Sequence, residues 1–518
     1  MIEKALPEVP TLPDIQDILY AAMRSHQDGD FYEADLLYAQ MLHVAPDNVQ
    51  AFRLRGILAR ERGELKKSLH LLQRASELAP ANPEPLGEIA LVHMAAGNLQ
   101  EAELILRRAL ALDPTAVKTL TNLGALLQYR GHIQAAIDCY QQALAINHDD
   151  IEVRCNLAKA LVDAGQTEQA LVECKTAVKK TDRHPFALAT LGAVLTDSQQ
   201  YAEARATLEQ ATTLEPGDDI ALVNLGLSCY GLGDLAAATS ALGKAVTTNP
   251  YNARAVADLA NCLTASGDVD AALELCHGFL QQNPGERLVI GALALALHNS
   301  DQQSEANELT NCATLVRVFE LPCPDNYANL EEFNHTLAEQ IQNDSSLLTS
   351  PTSKATAGGD QTGELNLADG DFAELGRFFN QAIGDAANSY IAAGLADHPL
   401  MEPAAKDWSL RAWGTLLRAG GKQISHMHPL GWLSGIYYLS LPDNMDETED
   451  EAGWLEFGQP PERFFRTSEP ETYRYKPVEG KLILFPSWFW HQTVPFSADQ
   501  NRISIAFDVM PKSTLRIL

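Results

Sequence analysis

The chain is 518 residues long, a length that at about 150 residues per domain predicts roughly three domains and is ample for a large buried core. Lys and Arg total 38 against 68 Asp and Glu, and the resulting charge of −30 argues against a charge-driven grip on nucleic acid or an anionic membrane. Apolar residues at 46% argue against global disorder, while the absence of any apolar run near about 18 residues, and a start (MIEKALPEVP) with Pro and acid, argue against a membrane span or secretory signal.

Residues 1–14 read as a lead into an array of repeats. Pro46, Pro80, Pro114, Pro216, Pro250 and Pro284 fall on one 34-residue grid, with His148 and Asp182 in its two remaining slots. Gly29, Gly63, Gly97, Gly131, Gly165, Gly233 and Gly267 share the period, with Gln199 out of step. Small residues fill two further columns, one through Ala34, Ser68 and Ala102, the other through Ala75, Ala109 and Ala143. In each unit, apolar residues recur at three- and four-residue spacing on both sides of the turn glycine. The pattern predicts two amphipathic helices around a tight turn, with small residues where the helices approach and Pro ending the second. One such hairpin cannot bury its apolar face, whereas a stack of them can. Eight units span 15–286, and 287–318 (beginning RLVIGALALAL) loses the turn Gly and the Pro, as capping helices would.

These columns resemble the tetratricopeptide repeat, which implies an all-α solenoid whose concave face binds an extended peptide or a protein partner. Asn122, Asn156, Thr190, Asn224 and Asp258 occupy the sixth position of successive units, where side-chain amides in some such proteins hold a peptide backbone. The simpler reading is that these residues cap helices or solvate a groove. The eight Cys include no CxxC pair and are widely scattered, which fits a reducing cytoplasm.

After Cys323 the composition changes. Residues 343–371 are rich in Ser, Thr, Gly and Asp and read as a loop or a poorly ordered segment, and 372–394 as a helix packed on the outside of the domain built by the later residues. Beyond residue 408, runs such as SLRAWGTLLRA, LSGIYYLSL, KLILFPSWFW and RISIAFDVM read as strands of a jelly roll or barrel. All six Trp lie in this part. His426 and His428 form a His-x-His pair, and His491 comes 65 residues after the first of them. In a double-stranded β-helix such a spacing lets distant strands aim imidazoles at one point and leaves open positions on a metal such as Fe(II). Arg502 and Ser504 sit two apart on one strand, so they share a face and make a fork for a carboxylate.

HMHPLGWLSGIYYLSLP, GKLILFPSWFWHQTVPF and the Arg502–Ser504 pair together resemble the Fe(II)/2-oxoglutarate-dependent oxygenases, in particular the oxygenase domains fused to tetratricopeptide repeats. The resemblance covers roughly 320–515 and implies a C-terminal double-stranded β-helix (jelly-roll) domain over 319–518. It implies that His426, His428 and His491 hold Fe(II) and that Arg502 and Ser504 hold the far carboxylate of 2-oxoglutarate. Dioxygen and 2-oxoglutarate would then be consumed to give succinate and CO2, with hydroxylation of a substrate C–H bond. The family pattern is His-x-Asp/Glu, and here residue 428 is His. Either His428 ligates, or a carboxylate such as Glu456 or Asp443 does, or only two protein ligands bind. The same departure leaves open a non-catalytic scaffold whose β-domain is a binding module. The acidic run at 446–451 reads as a solvated loop, or as an attractor for a basic substrate. A repeat-fused glycosyltransferase, suggested by the Asn positions, is a poor fit because about 200 residues after the repeats are too few for two nucleotide-sugar domains.

Overall fold

The computed structural model describes residues 15–300, 302–349, 355–401, 407–443, 451–498 and 500–511. The lead 1–14 lies outside them. From Ile15 to Gln282 the helices come in eight pairs, from Ile15–Gln27 with Phe31–Val44 to Ala253–Ala265 with Val269–Gln282. The seven turn glycines all adopt φ between 74° and 86°, the left-handed region that ends a helix at little cost when no Cβ is present. Gln199, the one slot without Gly, takes the same conformation at φ 59°. The alanine columns are buried, and at residue 68 the Ser hydroxyl donates to Gly56 O at 2.7 Å instead of standing free. Two further helices, Arg287–His298 and Gln303–Thr310, come after the eighth pair.

Contacts divide the chain into one unit of residues 15–126 with 145–147, and a second of 127–144 with 148–511. The strands of the second unit are, in chain order, β1 (Arg317–Glu320), β2 (Leu348–Thr349), β3 (Thr356–Gln361), β4 (Trp408–Gln423), β5 (Leu433–Ser440), β6 (Leu455–Phe457), β7 (Tyr473–Tyr475), β8 (Lys481–Pro486), β9 (His491–Thr493) and β10 (Arg502–Pro511). Seven of them form an antiparallel sheet in the order β1-β8-β5-β10-β4-β3-β2, and the other three a second sheet, β7-β6-β9. A helical solenoid followed by an antiparallel sheet region consistent with a jelly roll is therefore the fold. The loop expected at 343–371 is a correction, because it contains β2 and β3, and β3 pairs with the long strand β4. Its sequence, TAGGDQ, has neither β-branched residues beyond Thr356 nor an apolar alternation, so only backbone pairing marks it as a strand.

Period-two alternation decides what each face of the large sheet meets. On one face Phe507 stacks on Phe379 of the helix Gly370–Ala392 at 4.2 Å between centroids, and Tyr437 donates to Asn334 Oδ1 of the helix Leu330–Gln342 at 2.7 Å. The other face carries Arg411, Trp413 and Thr415 of β4 opposite Asp508, Ala506 and Ser504 of β10. Several contacts tie this domain to repeat helices within the same unit. Arg411 Nη2 donates to Tyr129 O at 2.6 Å, and Glu364 N donates to Arg130 O at 2.8 Å. Gly291 packs so closely that a Cβ there would sit 2.9 Å from Met427 Sδ, between the two histidines of the His-x-His pair. The segment 463–468 is held by its backbone: Tyr230 donates to Arg463 O at 2.7 Å, Asn299 Nδ2 to Phe465 O at 3.3 Å, and Thr467 N to Asn299 Oδ1 at 2.8 Å.

Candidate metal and co-substrate site

His426 and His428 lie just past the end of β4, and His491 opens β9. Reciprocal backbone hydrogen bonds join His426 and His491 (3.1 and 3.0 Å), and His428 N donates to Ser487 O at 2.8 Å. The chain segments are thereby fixed before any side chain acts. One ligand-capable atom from each of the three histidines lies within 4.8 Å of the other two, the one such cluster of His, Cys, Asp or Glu among the described residues. Each Nδ1 faces an oxygen: Ile424 O at 2.7 Å from His426, Phe489 O at 2.9 Å from His491, and Asp508 Oδ1 at 2.8 Å from His428. An oxygen acceptor fixes the proton on Nδ1 and leaves Nε2 as the lone-pair nitrogen available to a cation. Burial and the neighbouring imidazoles push His426 down to about 3 and hold His491 well below the usual imidazole range. Both are neutral at pH 7, the state a metal ligand needs. Trp413 stacks on His428 and Phe485 stands edge-on to His491, which limits ring rotation.

Arg502 and Ser504 share the same cavity as the three histidines, with Thr415 and Thr493 also on its wall. Arg502 is 2% exposed, yet its Nε and Nη2 have no hydrogen-bond partner among the described residues, and neither does the buried Tyr438 hydroxyl. Its guanidinium carbon lies 5.1 Å from the Tyr438 ring centroid. A buried cation with donors unspent is costly unless an anion joins it, so this end of the cavity fits a carboxylate. Three imidazoles with free Nε2 atoms likewise fit a borderline divalent metal such as Fe(II).

Neither alternative carboxylate joins the histidines. Glu456 accepts from Arg474 Nε and from Gln492 Nε2, each at 2.6 Å, and pairs opposite Gln492 on the far side of β9 from His491. Asp443 accepts from Gln500 Nε2 at 2.9 Å. Of the acidic run at 446–451, only Glu451 lies within the described residues, where it meets Arg474 at 2.7 Å. The carboxylate that does touch the cluster is Asp508, which sequence reasoning missed. The alternation that paired Arg502 with Ser504 continues through Ala506 to Asp508, so the signal was present.

The polar row of the repeats is mostly engaged locally. Thr190 Oγ1 donates to Phe186 O at 2.9 Å, Asn224 Nδ2 to Ile220 O at 3.0 Å, and Arg254 Nε meets Asp258 at 2.6 Å. Asn122 lies in the first unit, and Asn156 is half-buried. Asp258 and Arg254 line one cavity with His426, His428, Arg463 and Asp508.

A family model described as "Putative 2OG-Fe(II) oxygenase" matches residues 411–508, a span that runs from Arg411 to Asp508. Tetratricopeptide-repeat models match 59–123, 117–150, 190–251 and 230–296. The chain thus joins tetratricopeptide repeats to a C-terminal domain of that oxygenase family. Similar solved structures include the "APC/C hetero-tetramer Cut9-Hcn1", at 18% identity and TM-score 0.42, where the match covers 55% of this chain and 57% of that one. A tetratricopeptide repeat protein from Parabacteroides merdae matches at 16% identity and TM-score 0.41, covering 48% of this chain and 98% of its own. YrrB, "a TPR protein with an unusual peptide-binding site", matches at 22% identity and TM-score 0.28, covering 36% of this chain and 95% of its own. No curated protein matches the chain. No helix among the described residues is long and apolar enough to cross a membrane.

Proposed function

We propose that the chain is an Fe(II)- and 2-oxoglutarate-dependent dioxygenase, a hydroxylase, whose repeats engage a protein or peptide substrate or partner. The observation that carries this reading is the shared cavity of three Nδ1-anchored histidines and a buried, partner-poor Arg502. His426, His428 and His491 would hold the iron, and Arg502 with Ser504 the distal carboxylate of 2-oxoglutarate. Bound together, iron and 2-oxoglutarate supply the oxidation, in which O2 converts the co-substrate to succinate and CO2 and an oxygen atom enters a substrate C–H bond. The protein supplies orientation and exclusion of water. Arg502 fixes the co-substrate at one end by charge and directed hydrogen bonds, while Leu455, Ile436 and Phe485 make the cavity wall apolar. The backbones of His426 and His491 are pinned to each other and that of His428 to Ser487, so little reorganisation accompanies loading.

Arg254 and Asp258 stand on the eighth repeat yet line the same cavity as His426 and His428, which supports a substrate that touches both repeat and barrel. All eight cysteines are free thiols, in keeping with a reducing compartment such as the cytoplasm. The test is anaerobic calorimetry with Fe(II) and then 2-oxoglutarate, with succinate measured after admission of O2. Stoichiometric binding and slow, uncoupled succinate formation are expected. Absence of both iron and 2-oxoglutarate binding would overturn the reading in favour of a scaffold.

A further inference from the structure

The ligand set proposed for the metal contains no carboxylate, yet a carboxylate stands directly behind it. Asp508 Oδ1 lies 2.8 Å from His428 Nδ1 and accepts from Ser434 Oγ at 2.7 Å. The other two histidines anchor Nδ1 on neutral backbone carbonyls, Ile424 O and Phe489 O. His428 alone is anchored on a group that carries charge. Three strands converge to hold that charge: Asp508 on β10 faces Ser434 on β5 and Arg411 on β4 in register. Gly431 packs against one further side, where a Cβ would come within 3.3 Å of the Asp508 side chain. Arg411 is itself held from behind, with its guanidinium 4.1 Å from the Tyr129 ring and bonded to Tyr129 O. The carboxylate thus meets the His428 ring and the Ser434 hydroxyl directly and stands opposite the strand position of Arg411.

Building on the metal reading above, we infer that Asp508 is a positioning residue: through His428 it supplies, one hydrogen bond removed from the metal, the negative charge that a His-x-Asp/Glu pattern would place in direct coordination. Its carboxylate fixes the His428 tautomer, aims Nε2 at the cluster and makes that imidazole a stronger donor. His428 is thereby distinguished from His426 and His491, and the cluster is electrically lopsided towards β10.

The experiment is anaerobic titration of metal-free, full-length protein with Co(II), read by calorimetry and by the visible absorption of the bound cobalt, with no turnover required. Asp508→Asn keeps the side-chain volume and an oxygen acceptor but removes the charge, and Asp508→Ala removes both. Each is expected to bind Co(II) about 10–100-fold more weakly than wild type, the usual effect of losing such an outer partner. Asp508→Ala should also alter the cobalt spectrum, because His428 is then free to rotate. Ser434→Ala keeps the charge and loses one hydrogen bond, so it should shift affinity less than Asp508→Asn does, and it gives a measurable comparison if Asp508→Ala does not fold. Wild-type affinity and spectrum in Asp508→Asn would overturn the role of Asp508 while leaving the metal site standing. Wild-type protein that takes up no cobalt would overturn both.

Discussion

Replacing Arg502 with Met separates what the site needs from what the fold needs. Arg502 is 2% exposed, two of its nitrogens are unpartnered, and burial presses its pKa below the ordinary guanidinium value. Folding therefore works against this charge. A base whose folded pKa is depressed destabilises the folded state wherever the unfolded chain keeps it protonated, which covers all neutral and acidic pH. Replacement of even a buried ion pair by apolar side chains of similar volume is commonly neutral or stabilising by about 1–4 kcal/mol, and an unpaired buried charge has less partner attraction to lose. In a domain of about 150–250 residues each kcal/mol raises Tm by about 2–4 °C. Co-substrate binding should move the other way. Hydrogen bonds to a charged group contribute about 1.5–3 kcal/mol each, so losing even one weakens 2-oxoglutarate by about 10–100-fold. All six Trp lie at 408–490, so a fluorescence melt reports the sheet domain without interference from the repeats. Arg502→Met should melt at or above the wild-type temperature without ligand and lack the upward shift expected of the wild type with 2-oxoglutarate. A variant that melts lower would show that Arg502 has a structural partner, and undiminished co-substrate binding would refute the assignment of the carboxylate to Arg502.

His491→Ala should abolish stoichiometric iron binding and succinate formation while leaving the far-UV circular dichroism unchanged; retained function would favour the scaffold reading instead. Gly291→Val places branched atoms where a single Cβ already meets Met427 Sδ at 2.9 Å. Overpacking of this kind costs about 1–3 kcal/mol, and since Met427 lies between His426 and His428 the variant should also weaken Co(II) binding. Gln199→Gly relieves a non-glycine left-handed residue at φ 59°, and with the left-handed cost set against glycine's extra chain entropy it should stabilise the repeats by on the order of 1 kcal/mol, measurable as a higher urea midpoint of the helical signal.

The repeats were legible because their information is redundant: turn glycines, closing prolines and alanine columns each report the same period. The site was legible where chemistry clusters along the chain, as in His426-x-His428, and where alternation was traced, as from Arg502 to Ser504. It failed two residues beyond Ala506, at Asp508, only because the alternation was not carried further. The strand β3 was hidden for a different reason. Its glycines give no side-chain pattern, and its place in the sheet depends on the backbone of β4, a non-local fact. Glu456 looked suitable as a ligand because sequence shows a carboxylate among aromatics but not that Arg474 and Gln492 already claim its two oxygens.

The sheet domain meets the helical array at two separated places, at Tyr129 and Arg130 through Arg411 and Glu364, and, just past the eighth repeat, at Gly291 through Met427. Repeat arrays change length by gaining or losing whole units, and each unit contacts only its neighbours. Between these two grips that freedom is gone. One extra 34-residue unit inserted after Gly131 would carry Gly291 away from Met427 or tear Tyr129 from Arg411, so the sheet domain acts as a gauge that fixes the repeat count across this stretch.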